Sequence, residues 1–163
     1  MILTAERIRS IKREAEDLLG ENDYDNELPV PTENIAEHLG YKITGFFPDE
    51  ALKNVSGIVD HEQKVISLNR TESARRQRFT LAHEIGHIVL HKGQSFVDFR
   101  KMILDPTDEK EREANRFASE LLMPAEPFLQ YWIKFNGEIS SMAVKFAVSQ
   151  DAILHRSNEL KIR

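Results

Sequence analysis

The chain has 163 residues, 40% hydrophobic and 30% charged, which suits one compact domain with a solvated surface, or one domain with a small helical appendage. Its formal net charge of −5 argues against a surface devoted to nucleic acid. With no cysteine, disulfides and thiolate metal sites are excluded, and any metal must be held by His, Asp or Glu. The first twenty residues are charged throughout and lack the apolar run of a signal peptide. No stretch reaches the length of a membrane-spanning helix, so a cytoplasmic location is the expectation. Residues 4–19 place Ile8, Ile11, Ala15, Leu18 and Leu19 at helical spacing, with Thr4 as cap and Gly20 as stop. "ENDYDNELPVP" reads as a loop, and "TENIAEHLG" as a second helix from a Thr32 cap to Gly40. "YKITGFF" has strand composition, and "VSGIVDHEQKVISLNR" reads as a hairpin around the polar turn "DHEQ". A helix follows, opening near Thr71 or Ser73 and ending by Gly93. Residues 94–107 have weak periodicity, end in the turn signal Asp105-Pro106-Thr107 and carry no assignment from the sequence. Asp108 and Glu111 form a capping box for "DEKEREANRFASELL", which stops before Pro124. Three short helices complete the chain: "AEPFLQYWIKF", "SSMAVKFA" and "SQDAILHRSNEL".

The chemistry concentrates in "LAHEIGHIVLH", where His83, Glu84 and His87 form H-E-x-x-H inside an apolar run. Residues four apart on a helix are about 40° apart around it, so both imidazoles leave one face and can converge on one ion. Zinc favours such nitrogen ligands, and Glu84 beside them suits the general base for the attacking water. His91 does not complete the longer three-histidine pattern, since Leu90 and Gly93 stand where that pattern needs Gly and His. It reads as an orienting or structural residue.

A catalytic zinc usually takes a third protein ligand from another element, and "EREANRFASELLMP" is the best source. Glu113 shares a helix face with Phe117 and Leu121 and should point inward; Glu120, seven residues on, is a rival. Glu109 and Glu111 lie near the capped end and read as solvent-facing.

"FTLAHEIGHIVLH" followed by "EREANRFASELLMP", with "ISLN" at 66–69 before them, resembles the ImmA/IrrE family of zinc metallopeptidases over roughly residues 30 to 125. The resemblance implies a gluzincin-like site with His83, His87 and Glu113 as zinc ligands and Glu84 as base. It implies an α+β fold: a zincin-like metallopeptidase domain over 1–125, with a small antiparallel sheet and an active-site helix, then a helical C-terminal segment over 126–163. It also implies a protein substrate, a helix-turn-helix transcriptional repressor cut at one site. The strand "KVISLN" is the candidate sheet edge for pairing with extended substrate.

The C-terminal "ISSMAVKFAVSQDAILHRSNEL" resembles a helix-turn-helix, yet only Lys145, His155, Arg156 and residues 161–163 supply basic groups. Direct nucleic-acid binding is not expected, and a packing or docking role is favoured. Arg75, Arg76 and Arg78 read as a solvated helix start, and His38, His61 and Trp132 as structural. Tyr131, Arg70 and His155 are candidates for polarising the scissile carbonyl. Two other functions compete with the endopeptidase: a zinc-stabilised protein that disables a repressor by docking alone, and a DNA-binding regulator. Intact Glu84 favours the endopeptidase, because a pure binder has no need of a base.

Overall fold

The computed structural model describes residues 2–24, 26–92, 98–99 and 108–162. Thr4 caps helix α1 (Ala5–Glu21), its side chain accepting from the Arg7 amide. The helix runs past Gly20 to end at Asn22, and buries Ile11, Ala15, Leu18 and Leu19 as one stripe. In α2 (Thr32–His38) the cap position falls to Pro31, so Thr32 is the first helical residue and Gly40, at φ 88°, closes the turn.

Strands β1 (Lys42–Phe46), β2 (Gly57–Asp60), β3 (Val65–Asn69) and β4 (Asp98–Phe99) form one sheet in the order β1-β3-β2-β4. The expected hairpin is present, with Val59 opposite Ile66. The sheet departs from the sequence expectation in two ways. The sheet is mixed rather than antiparallel, because β1 lies parallel to β3 while β2 is antiparallel to both β3 and β4. Second, β3 is an interior strand: residues 47–56 carry the chain past its place, and β3 returns between β1 and β2. Both its backbone ladders are therefore taken, so "KVISLN" cannot be the free edge that an extended substrate would join. Asn69 at its end has a local task. Its side chain donates to the Val55 carbonyl and accepts from the Thr71 amide and hydroxyl, tying the loop before β2 to the turn before the next helix.

That helix, α3 (Ala74–Leu90), opens on Ser73, whose hydroxyl accepts from the Arg76 amide, and ends at His91. Arg78 is half-buried and donates to the Thr32 hydroxyl, so the arginine cluster is not wholly a solvated face. Asp108 caps α4 (Glu109–Leu122), accepting from the Lys110 amide. Helices α5 (Ala125–Lys134), α6 (Ile139–Phe146) and α7 (Gln150–Glu159) follow, near the bounds read from the sequence. Leu81, Ile85, Phe117, Leu121, Phe128, Phe146 and Ile153 belong to one buried cluster that the sheet and helices share. Among the described residues no helix is long and apolar enough to cross a membrane.

Helix α3 packs tightly on α4 at Gly86. A Cβ added there would stand 3.1 and 3.2 Å from Phe117 side-chain atoms and 3.2 Å from the Ala114 carbonyl oxygen. Phe117 is wholly buried, so neither wall yields without displacing the core. Gly86→Ala is expected to cost about 1–3 kcal/mol by overpacking, although alanine is the better helix former. Urea denaturation measures this, and an unchanged or raised midpoint would contradict the tight fit.

Candidate metal centre

The approach at Gly86 brings α4 onto the face of α3 that bears the H-E-x-x-H residues. His83, Glu84 and His87 are all buried, in a helix stretch that is buried without interruption from Thr80 to His87. His83 Nε2 and His87 Nε2 stand 3.1 Å apart. The carboxylate that meets them is Glu111: Oε2 lies 3.0 Å from His83 Nε2 and Oε1 lies 3.2 Å from His87 Nε2. Among the described residues, His83, His87 and Glu111 are the group of metal-ligating side chains whose atoms converge.

Glu113 is placed differently from the sequence expectation. It points inward, as its spacing with Phe117 and Leu121 requires, but towards α1 rather than the imidazole pair. Arg7 donates to both of its oxygens at 2.7 Å, and His91 Nε2 lies 2.9 Å from Oε2. The bonded guanidinium holds the Glu113 carboxyl below the usual carboxylate range; burial opposes this and the bond to His91 adds to it. Glu111, expected in solvent, is instead half-buried against the histidines. The rival, Glu120, is bonded by Arg116 and Arg156 and faces α7.

The donor set fits a metal ion. Ligand atoms around a tetrahedral centre with bonds of roughly 2.0–2.1 Å stand roughly 3.3 Å apart. The separations here, 3.0, 3.1 and 3.2 Å, come close to that. Two imidazole nitrogens and a carboxylate are also the ligand types that zinc accepts. Each histidine is held from behind. His83 Nδ1 lies 2.8 Å from Asn115 Oδ1, one helical turn beyond Glu111, and His87 Nδ1 lies 2.9 Å from His91 Nδ1. A ring that donates through Nδ1 keeps its Nε2 lone pair for an ion.

Glu84 packs against the start of β2. A Cβ on Gly57 would fall 3.2 Å from Glu84 Oε1 and 2.8 Å from Thr80 Cγ2, so a bare backbone is what leaves the carboxylate its room. The three carbonyl-polarising candidates have other partners: Arg70 donates to Gln77, the Tyr131 ring packs tilted on Phe135 and edge-on to Phe146, and His155 pairs with Glu159. Arg7, Glu111 and Asn115 escaped the sequence reading. A signal existed for the last two, since residues four apart share a helix face and asparagine is a poor interior helix residue without a bond to make.

Fold and site together define a class: an α+β protein whose buried histidine pair and facing glutamate can hold a metal ion. Residues 30–158 match the family model Peptidase_M78, described as the IrrE N-terminal-like domain, and the chain belongs to this ImmA/IrrE family. It is 32% identical over 96 residues to "Metallopeptidase ImmA" of Bacillus subtilis (strain 168), covering 51% of this chain and 54% of that protein. It is 29% identical over 110 residues to "Uncharacterized immunity region protein 2" of Bacillus phage phi105, covering 68% of this chain and 63% of that one. A solved structure titled "Mycobacterium tuberculosis transcriptional regulator" has the same fold, with a TM-score of 0.67 at 15% identity, over 91% of this chain and 46% of that chain. The chain thus spans less than two thirds of the length of each of these relatives.

Proposed function

We propose that this chain is a zinc-dependent endopeptidase with a zincin-like site, in which His83, His87 and Glu111 hold the metal and Glu84 is the general base. The observation that carries this reading is the meeting of two Nε2 atoms 3.1 Å apart with Glu111, whose oxygens lie 3.0 Å from His83 and 3.2 Å from His87, the histidines standing on the helix that also presents buried Glu84. Glu111 thereby takes the ligand role that the sequence reading gave to Glu113, which is committed to Arg7 and His91. Zinc at this place supplies Lewis acidity to the scissile carbonyl and the attacking water. Glu84 takes a proton from that water and returns it to the leaving amine. Asn115 and His91 keep the two imidazoles oriented.

The substrate we infer is a helix-turn-helix repressor, cut at one exposed or locally unwound segment. This class of target is the one that the resemblance to the ImmA/IrrE family implies. Residues 126–163 are read as a packed segment that docks the substrate rather than a DNA reader. In α7, the helix that would read bases, Arg156 is fully buried, which removes its strongest cation from any phosphate contact.

Two measurements test this. Metal analysis should find one zinc per chain in the parent and none in His83→Ala or His87→Ala; stoichiometric zinc in the double variant would end the assignment. Incubating the zinc-loaded protein with candidate helix-turn-helix repressors, with and without chelator, should give one metal-dependent cleavage in one of them. A repressor that is bound yet never cut would favour inactivation by docking.

A further inference from the structure

Behind the imidazoles runs a row of hydrogen bonds whose polarity is fixed from one end. A guanidinium only donates, and Arg7 gives Nε–H and Nη2–H to the two oxygens of Glu113. The carboxylate only accepts, so the 2.9 Å contact of Oε2 with His91 requires that His91 donate through Nε2. With the metal bound and His91 neutral, an imidazole protonated at Nε2 has only a lone pair at Nδ1. His91 Nδ1 lies 2.9 Å from His87 Nδ1, so in that state His87 carries its proton there and donates it. The Nε2 of His87, which faces Glu111 and His83, then has its lone pair for the ion.

We propose that Arg7, Glu113 and His91 are positioning residues that fix His87 in its Nδ1–H tautomer and aim its Nε2 at the metal ion. The proposal rests on the reading of His83, His87 and Glu111 as the metal site. It gives α1 a part in that site, since Arg7 precedes the family-matched span of residues 30–158. It also accounts for two charges that continue buried stripes. Arg7 lies four residues before Ile11 on α1, and Glu113 four before Phe117 on α4, so packing α1 on α4 brings the two charged ends together. Arg7 is a third exposed while Glu113 is one-tenth exposed, so the pair seals the outer end of the row.

The test uses the full chain and two readouts. In zinc-loaded protein, long-range proton–nitrogen correlation spectra of the imidazoles should find His91 in the neutral Nε2–H form, its Nδ1 accepting from His87. In His91→Phe, which has no acceptor, zinc affinity measured by chelator competition should fall about 10- to 100-fold. His91→Gln, whose amide accepts through Oε1 and donates through Nε2, should recover much of that loss, which a variant that merely loosens the fold would not do. Arg7→Met should lower the affinity by less. A zinc-loaded parent whose His91 is protonated at Nδ1 would overturn the proposal. So would zinc affinity that is indifferent to His91→Phe and Arg7→Met. A parent that binds no zinc would instead overturn the reading of the metal site.

Discussion

Glu84→Gln is expected to abolish cleavage while leaving the fold and the bound metal in place. The amide is nearly isosteric with the carboxylate but cannot accept the proton of the attacking water, and loss of a general base typically costs 10²- to 10⁴-fold. Glu84 is 2% exposed and sits where Gly57 leaves it space, so the substitution asks for no larger cavity. It should therefore trap a complex with the repressor rather than prevent one. Cleavage rate, zinc content and repressor binding, measured side by side on parent and variant, separate these effects. A variant that cuts at the parent's rate would move the base elsewhere, and one that loses its zinc would make Glu84 a structural support.

The largest stability loss is expected at Arg156, which lies between α4 and α7 with no exposed surface. Its guanidinium donates to both oxygens of Glu120, to Glu159 and to the Met123 carbonyl. Glu159 also accepts from Ser119 on α4. Arg156→Met would fill much of the volume but leave Glu120 buried without its main partner, although Arg116 still reaches one oxygen. Removing one member of a buried ion pair typically costs about 3–5 kcal/mol, because the charge left behind stays desolvated. A double variant that also replaces Glu120 with Met should recover part of that loss. The same network sets an acid limit. Burial pushes the Glu120 carboxyl up, but the bonds and charges of Arg156 and Arg116 outweigh it and hold it below the usual range. A carboxyl with a depressed folded pKa contributes fully above its unfolded value, about 4.3, and that contribution is lost as pH falls through the folded value. Stability of the parent should thus fall below about pH 4.3 more steeply than that of the double variant. Urea midpoints across that range check both claims, and a cost below about 1 kcal/mol for Arg156→Met would contradict the buried-pair account.

Local signals in the sequence carried well into the structure where a residue's role depends on its neighbours along the chain. Thr4, Ser73 and Asp108 cap the helices they precede, and Gly40 closes α2. The pairing of His83 with His87 follows from helix geometry alone, and the structure brings their Nε2 atoms together. Roles that depend on packing between distant elements were less legible. Helical periodicity says that Glu113 faces inward, but not that Arg7, 106 residues away, lies opposite. Glu111 sits in a capped first turn, where solvent exposure is the ordinary expectation; only the docking of α4 on α3 at Gly86 turns it to the imidazoles. The strand order was hidden for the same reason, since a hairpin pattern fixes the β2–β3 pair without saying which side β1 will take.

His83, His87 and Glu111 are proposed to form one metal site, with Glu113 standing behind it. Crystals of zinc-loaded protein measured at the zinc absorption edge locate the ion directly by its anomalous signal. The predicted result is one peak per chain within bonding distance of His83 Nε2, His87 Nε2 and a Glu111 oxygen, with Glu113 still bonded to Arg7. A peak coordinated by Glu113, or no peak between the two histidines of fully loaded protein, would contradict it.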